Sequence, residues 1–399
     1  MSNIPKLRFP EFKGEWEEKK LGDIASFSKG KGYTKNDLVN DGSPIILYGR
    51  MYTKYETVIS DIDTFVNLQK GSIISKGGEI IVPASGETAE EISRASVVKN
   101  KGIILGGDLN IISLQKDKYN PEFFALTISS GTSQKRLSKL AQGKSVVHLH
   151  NEDLSGLQIK VPSLAEQQKI ADFLSNVDSI ITAETKILKT LQKKKKALMQ
   201  KLFTQQLRFK SDDGTDFPAW EEKKLGDVCE TYSGGTPKSG TAEYYGGEIP
   251  FIRSGEISSN KTELFLTEKG MENSSAKMVS KGDILYALYG ANSGLCSISK
   301  IDGAINQAIL CIKTNENKRF LCNYLQYQRE YFYSTYLQGG QGNLSGKLVE
   351  SFIIPLPCKE EQQKIADCLS SMDSLIQTQQ KVVTTWQQRK KALLQQMFI

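Results

Sequence analysis

The sequence predicts an α/β (α+β) protein in which two globular modules are each followed by a long helix. The first observation is a repeated opening, WEEKKLGDI at Trp16–Ile24 and WEEKKLGDV at Trp220–Val228. The second is a repeated EQQKIAD, at Glu166–Asp172 and again at Glu361–Asp367. After each EQQKIAD, apolar residues recur in alternating steps of four and three, which is typical of a coiled-coil helix. Because 399 residues also exceed what one core usually organises, we expect alternating module and helix with the bounds 1–160, 161–206, 207–355 and 356–399.

The spacing of the repeated motifs indicates where the two halves differ. The opening motif recurs after 204 residues but EQQKIAD recurs after 195, so the modules between them differ in length. Leu7–Phe9 and Leu207–Phe209 are both LRF, and Met397–Phe398 resembles Leu202–Phe203. Joining the two ends of the chain would continue the repeat. The sequence therefore predicts a pseudo-two-fold object.

The heptad pattern predicts that the two long helices pair with each other as an antiparallel coiled coil. Polar residues interrupt both seams at matching places, Glu184 with Gln379 and Lys195 with Lys390. Buried polar seam residues set the register of two helices, whereas exposed ones only mark where the helices separate, and both interpretations stay open. The apolar seam positions are Ile170, Leu174, Val177, Ile181, Leu188 and Leu191 in the first helix, and Ile365, Leu369, Met372, Ile376, Val383 and Trp386 in the second.

A further apolar row flanks each seam and makes the apolar face wider than one neighbouring helix requires. Packing against the chain's own module is one explanation. A docking surface for a partner subunit is the other, and we favour it because exposed apolar stripes generally mark interaction sites. The row consists of Phe173, Ile180 and Ile187, with Leu375 and Val382 in the second helix.

The length of the first helix predicts that the helix pair sets a fixed distance between the two modules. Glu166 to Phe203 is 38 residues, or about 57 Å at 1.5 Å per residue. An antiparallel pair of this length would hold two DNA-reading modules about one helical turn of DNA apart or somewhat more. Runs of cations at Lys193–Lys196 and Arg389–Lys391 can contact phosphates, although a solvated face is the commoner fate of such runs.

Short β-branched runs broken by glycine predict strands in each module, as at Gly71–Gly86 and Met278–Gly290, with helices near Pro121–Ser130 and Arg319–Tyr333.

Aromatic and basic residues alternate in the variable parts of both modules. Arginine and lysine reach guanine edges or phosphates and tyrosine stacks or donates, so the mixture suits nucleic acid, although an ordinary surface role competes for each residue. These candidates are Lys31, Tyr33, Lys35, Arg50, Tyr52, Lys54 and Tyr55, and Lys238, Tyr244, Tyr245, Arg253 and Lys261.

Amides and histidines add further candidate DNA contacts. Asn306, Gln307, Gln341 and Asn343 carry side chains that can pair with adenine, although asparagine also suits a plain tight turn. The only histidines are His148 and His150. Because the second module has no histidine and a metal site would need more ligands, we expect loop or DNA contact rather than metal there.

Composition narrows the class of protein. The net charge of +7 permits a polyanionic partner without requiring one. All six cysteines lie in the second half without C-x-x-C spacing, so neither disulfides nor a zinc site belong to the shared fold. Without a run long enough to span a membrane or a signal peptide, we expect a soluble, cytoplasmic protein.

The sequence carries no recognisable equipment for catalysis. It contains no Walker loop, no Asn-Pro-Pro-aromatic run of amino-methyltransferases and no glycine fingerprint for a nucleotide-like cofactor. Glu-x-Lys traces at Glu17–Lys20 and Glu221–Lys224 have no convincing upstream acid, and a charged entry to a strand explains them better than a nuclease site. We therefore expect no catalytic residues and no cofactor in this chain.

The most specific motif is the unit VPSLAEQQKIADFLSNVDSII from Val161, which returns as LPCKEEQQKIADCLSSMDSLI from Leu356. With this repeated unit, the chain resembles the specificity subunit of type I restriction-modification systems over essentially its whole length. The second module departs least from the family pattern, whereas the first has SKGKG in place of GGTP and lacks an Asn-Gln. The other matching motifs are GGTP at Gly234–Pro237, GEIPFIRSGEI at Gly247–Ile257, KGDIL at Lys281–Leu285 and INQAI at Ile305–Ile309.

The resemblance implies an adaptor whose modules are target recognition domains, each contacting one half of a bipartite sequence in double-stranded DNA. It further implies two modification subunits that carry S-adenosylmethionine and methylate adenine, and restriction subunits that use ATP and Mg²⁺. The helices would set the unread spacer and bind the modification subunits. Two alternatives stay open, a self-contained methyltransferase or nuclease with an unrecognised site, and a coiled-coil scaffold whose modules bind protein.

Overall fold

A computed structural model describes residues 4–115, 117–141, 146–336 and 343–398 of the chain. The chain divides into two compact units. The first unit comprises Met1–Thr185 together with Lys381–Ile399, and the second comprises Lys186–Gln380. Each unit therefore contains one module, one half of its own long helix and one half of the other long helix. Of the residues described, none belongs to a helix both long enough and apolar enough to span a membrane.

The first module contains two five-stranded sheets, and the predicted mixed α/β fold is confirmed. One sheet has the strand order Ala25–Lys29, Leu109–Leu114, Glu79–Pro83, Ser96–Val98 and Val58–Ile59. The other has the order Leu38–Val39, Phe65–Val66, Ser43–Ile46, Lys101–Leu105 and Ile74–Lys76. Smaller pairs join Glu17–Lys20 to Gln158–Val161 and Ser85–Gly86 to Val147–His148. The short helices are Leu21–Ile24, Lys35–Asp37, Arg50–Thr53, Ala89–Ile92, Pro121–Ile128, Gly131–Leu140 and Asn151–Ser155.

The second module contains two four-stranded sheets of related order. One runs Cys229–Ser233, Ile309–Thr314, Ile284–Ala287 and Cys296–Ile298. The other runs Leu264–Leu266, Tyr245–Ile252, Gly303–Ile305 and Lys277–Val279. The strand Glu221–Lys224 pairs with Ile353–Leu356. The short helices are Leu225–Val228, Ala242–Tyr244, Glu268–Glu272, Gly290–Asn292, Lys318–Tyr327, Arg329–Tyr336 and Gly346–Glu350.

In both modules the charged EEKK segment is a strand paired antiparallel with the strand that precedes the long helix. The Lys19 ammonium lies 2.8 Å from the Glu17 carboxylate, and Lys223 lies 2.9 Å from Glu221. These are ion pairs between neighbours on one strand face, since side chains two residues apart point the same way. The two ends of each module are thus tied together at the point where its helix begins.

The long helices run over Leu164–Phe203 and Lys359–Met397. The ends of both helices are buried in the cores of the modules. Phe398, just beyond the second helix, packs against Phe123 with ring centroids 5.6 Å apart, and Phe203 packs against Phe320 at 5.8 Å. The first module is therefore completed by the last residues of the chain, just as the second is completed by the end of the first helix.

Candidate nucleic-acid interface

In both modules a glycine-rich loop lies directly against the turn between two strands. A Cβ atom on Gly234 would come within 1.8 Å of the Ile305 carbonyl oxygen, and one on Gly30 within 1.9 Å of the Gly106 carbonyl oxygen. Only glycine permits such a close approach of two backbones. The two loops therefore occupy equivalent places, and Gly106 with the following glycine stands where the second module has its Asn-Gln pair.

The second module brings this loop together with the predicted amide pair. The Thr236 hydroxyl donates to Gln307 Oε1 at 2.6 Å, although the two residues are 71 positions apart. Asn306 Oδ1 accepts the Ala308 backbone N–H at 3.0 Å, which stabilises the turn. The Tyr245 hydroxyl donates to the Pro237 carbonyl oxygen at 2.8 Å and supports the loop from beneath. Gln307 is exposed, and with its oxygen engaged, its NH₂ group is the part best placed to donate to an acceptor outside the protein.

The first module holds the corresponding loop through Tyr33. Its φ of 61° lies in the left-handed region, which costs energy for a residue with a bulky side chain. The Tyr33 hydroxyl lies 2.6 Å from Ser72 Oγ and accepts the Gln69 backbone N–H at 2.8 Å. These bonds keep the loop in place and leave the neighbouring Lys31 and Lys35 side chains exposed.

Arg50 is a predicted DNA contact that the structure supplies with partners inside its own module. Its side chain is 7% exposed and pairs with Asp63 at 2.5 Å and Glu56 at 2.8 Å. It also donates to the Asp61 carbonyl oxygen at 2.8 Å. Lys54, which is exposed, lies 3.3 Å from the same Asp63. To contact DNA, Arg50 would have to give up two ion pairs, so its place in the structure favours an internal role.

Two tyrosines of the same segment also point inward. The Tyr52 hydroxyl donates to the Ser85 carbonyl oxygen at 2.5 Å, and the Tyr55 hydroxyl donates to the Ala95 carbonyl oxygen at 3.2 Å. The guanidinium of Arg94 lies over the Tyr55 ring, 5.5 Å from its centroid. Burial raises the pKa of both tyrosines above the ordinary value. The structure therefore gives these hydroxyls backbone partners within the module.

Arg253 of the second module is part of an ion-pair cluster at the end of its strand. Its guanidinium lies 3.1 Å from Glu256 and 2.5 Å from Glu263. Burial opposes ionisation of Glu256, but hydrogen bonds from Arg253 and from the backbone of Glu263 and Arg253 outweigh it and lower the pKa of Glu256 to about 2. The cluster fixes the chain between this strand and the next.

The remaining candidates lie on the surface. Lys238, Lys261 and Asn343 are exposed, Tyr244 is half-buried, and Gln341 lies outside the described residues. His148 and His150 are exposed with parallel rings whose centroids are 6.4 Å apart. The exposed members of both modules are available to a partner, and their role as DNA contacts stays a prediction.

A buried glutamate anchors each module to its helix, and sequence reasoning missed it. Glu166 is 1% exposed and accepts hydrogen bonds from Arg8 Nε and Nη2, both at 2.8 Å. The indole N–H of Trp16 donates to the same carboxylate at 3.2 Å. The carboxylate raises the pKa of Arg8 chiefly through these hydrogen bonds. Two repeated motifs, LRF and WEE, therefore meet the first residue of a third, EQQ.

The second unit repeats this anchor. Glu361 is fully buried, accepts from Arg208 at 3.1 and 2.7 Å, and accepts from the Trp220 indole at 3.0 Å. The glutamines that follow also act alike, since Gln167 accepts the Asn120 backbone N–H and Gln362 accepts the Asn317 backbone N–H, both at 2.9 Å. The recurrence of all these residues in both halves is the sequence signal from which the anchor could have been found.

Seven of the twelve predicted seam positions are buried and five are half-buried, and within each unit the helix segments run antiparallel. In the second unit Lys195 pairs with Asp373 at 2.6 Å, and in the first Lys390 pairs with Asp178 at 2.5 Å. The seam lysines therefore form ion pairs across the helices, with an aspartate as the partner. The apolar seam residues are buried at Ile170, Leu174, Val177, Leu188, Ile365, Leu369 and Val383, and half-buried at Ile181, Leu191, Met372, Ile376 and Trp386.

The outer apolar row has a mixed environment. Phe173 packs edge-on against Phe9 of its own module with centroids 5.7 Å apart. Ile180 and Val382 are half-buried. Ile187 and Leu375 are 47% and 54% exposed. Packing against the module thus accounts for one end of the row, while the exposed residues leave a surface on which a partner can bind.

The chain contains two mixed α/β modules whose surface loops differ. Each module is anchored to a long helix by the same buried cluster. This architecture defines a class of proteins that arose by tandem duplication of a module and its helix. A model of the type I restriction modification DNA specificity domain matches residues 13–193 and again 219–385. The chain therefore belongs to this family and is a type I restriction-modification specificity subunit with two target recognition domains.

Similar proteins agree along the whole chain. A putative type I restriction enzyme MjaX specificity subunit of Methanocaldococcus jannaschii is 28% identical over 98% of this chain and 95% of its own length. The MjaVIII specificity subunit of the same organism is 26% identical over 97% and 92%. The crystal structure of the S subunit from M. genitalium has the same fold, with a TM-score of 0.62 at 16% identity over 99% of both chains. A structure described as showing complex assembly of the type I R-M system gives 0.60 at 18% identity, over 95% and 96%.

Proposed function

We propose that each target recognition domain reads one half of a bipartite, asymmetric target in double-stranded DNA, and that the paired helices set the unread spacer. The observation that carries this proposal is the contrast between constant anchors and differing loops. Glu166 and Glu361 hold the same kinds of partner, whereas the turn beside the glycine loop contains Gly107 in one module and Gln307 at the corresponding position in the other. Two modules held alike but with different surface chemistry suit two different half-sites.

The helices would dock two modification subunits, and restriction subunits would join them. Exposed Ile187 and Leu375 support a docking surface on the helices, because exposed large apolar side chains in a row favour protein contact. The structure of similar fold that is described as showing complex assembly of the type I R-M system is consistent with this arrangement.

Catalysis would belong to those partners, and this chain would be a non-catalytic recognition subunit acting in the cytoplasm. The modification subunits would hold S-adenosylmethionine and methylate a flipped adenine in each half-site. The restriction subunits would use ATP and Mg²⁺ to cleave unmethylated DNA.

Lengthening both helices tests the proposal directly. One heptad is inserted after Thr185 and one after Gln380, where the two units divide, so that each unit stays intact. Seven residues add about 10 Å of helix, or about 3 base pairs of spacer. Mapping of methylated adenines is expected to show unchanged half-sites with a longer spacer. A two-residue insertion at the same two places is the control, because it rotates the apolar seam by about 200° to the opposite face of each helix and should abolish methylation.

Two outcomes would overturn the proposal. Methyl transfer or cleavage by the purified chain without added subunits would indicate a self-contained enzyme. Footprinting that shows no protected DNA at low salt would instead favour a protein-binding scaffold.

A further inference from the structure

Four lysines of the first long helix form a continuous stripe in the second unit. Lys186, Lys189, Lys193 and Lys196 follow each other in steps of three, four and three, so they lie on one face of the helix. All four side chains are exposed. We call this set the lysine stripe.

The charge of this segment is not balanced locally. Residues 186–203 contain seven lysines and no aspartate or glutamate. Within the described ranges, no member of the lysine stripe forms an ion pair, whereas the nearby Lys195 is paired with Asp373. Like charges three or four residues apart destabilise a helix. A stripe that concentrates them on one face therefore suits a polyanionic partner that neutralises them.

The lysine stripe lies on a different flank of the helix from the outer apolar row. At about 100° per residue, its members lie roughly 100–180° around the helix from Lys195. Ile187 lies about 80° from Lys195 in the opposite direction. A protein that covers the exposed Ile187 side chain would therefore leave the stripe open.

The flank of the helix between the seam and the lysine stripe adjoins the second module. Phe203, on that side of the helix, packs against Phe320 of the module. Lys281, Lys300 and Arg319 of the module line a cavity of about 680 Å³ together with Lys195 and its ion-pair partner Asp373. The module thus brings three further cations to the same stretch of helix.

The spacing of the lysine stripe matches a DNA strand. From Lys186 to Lys196 the helix rises about 15 Å. A single DNA strand carries one phosphate per about 3.4 Å of axis, so this length corresponds to about four phosphates. We propose that the lysine stripe binds the phosphate backbone of double-stranded DNA without reading its bases, an inference that rests on the DNA-binding function proposed above.

The test compares two double variants of the full chain that each lose two exposed charges from the same helix. Lys189→Gln with Lys193→Gln removes half of the stripe. Lys194→Gln with Lys201→Gln is the matched control, because both lysines are exposed and lie on the flank of Ile187. Binding to duplex DNA containing the mapped target is measured between about 50 and 200 mM salt.

For the stripe variant, the slope of log affinity against log salt is expected to fall by roughly one unit per lysine, with unchanged half-sites. The control variant should keep the wild-type slope. Equal slopes for the two variants would overturn the inference while leaving the proposed function intact. Weaker assembly with a protein subunit at an unchanged salt slope would overturn it in favour of a protein partner. Absence of DNA binding by the wild-type chain at low salt would overturn the proposed function as well.

Discussion

Arg8 and Glu166, 158 residues apart in the chain, form a two-point ion pair at the base of the first module. The carboxylate is buried, so it depends on the guanidinium and on the Trp16 indole for its hydrogen bonds. A buried charge that loses its partner is strongly destabilising. This cluster therefore controls whether the module stays attached to the helix that positions it.

We expect Arg8→Ala to lower the free energy of unfolding of the first unit by about 3 kcal/mol, because it leaves the Glu166 charge buried with only Trp16. Denaturant unfolding followed by hydrogen exchange in each unit measures the change. Glu17→Ala, at an exposed carboxylate, is the control and should leave the stability of the first unit nearly unchanged. A loss for Arg8→Ala no larger than the control would contradict the anchor role.

Phe398 should stabilise the first unit specifically. Its ring packs on Phe123 in the module core, so Phe398→Ala removes a buried aromatic side chain and is expected to cost about 3–5 kcal/mol. Phe203→Ala is the matched variant and should have the same effect on the second unit. Hydrogen exchange resolved by unit measures both, and equal loss of protection in both units from either variant would argue against separate cores.

Gln307 should affect only one half-site. Gln307→Ala removes an exposed amide whose oxygen is held by Thr236, and we expect discrimination at one base pair to weaken by about 1–3 kcal/mol. Thr236→Val, which frees the amide without removing it, should have a smaller effect at the same position. Methylation mapping provides the measurement, with the other half-site as internal control. Changes in both half-sites would exclude a local contact.

Glu256 should make the second module sensitive to acid. Its pKa in the folded protein is about 2, below the ordinary value of 4.5. A depressed pKa means that the ionised carboxylate stabilises the fold above about pH 4.5 and that this contribution is lost as the pH falls towards 2. The pH dependence of unfolding should be shallower in Glu256→Gln over this interval. An identical profile for the variant would show that the Arg253 cluster does not contribute.

Several features of the fold follow from local sequence alone. The helix bounds Leu164–Phe203 and Lys359–Met397 lie close to the predicted helical regions, because heptad periodicity is a repetitive local signal. Strands were predicted around Gly71–Gly86 and Met278–Gly290, where β-branched runs alternate with glycine. Duplication and family were recognisable because motifs such as EQQKIAD recur in both halves.

The candidate site was much less predictable than the frame. Arg50 and Arg253 look like free cations in the sequence, but each is paired with carboxylates three to thirteen residues further along the chain, and these contacts depend on how the intervening loop folds. Thr236 and Gln307 are 71 residues apart, and their contact depends on a loop folding back on a strand end. The sequence shows which charged and polar side chains are present, but not which of them form ion pairs or hydrogen bonds within the folded chain.

The sequence by itself determined the duplication, the mixed modules and the paired helices, since each rests on a repeated or periodic pattern within a short stretch of chain. Only the tertiary structure decided which residues join these parts. Glu166 pairs with Arg8 and hydrogen-bonds with Trp16, and Lys390 pairs with Asp178. Burial removes water from these charges, so each depends on a partner that is distant in sequence. Such pairings are properties of the folded chain and have no local signal.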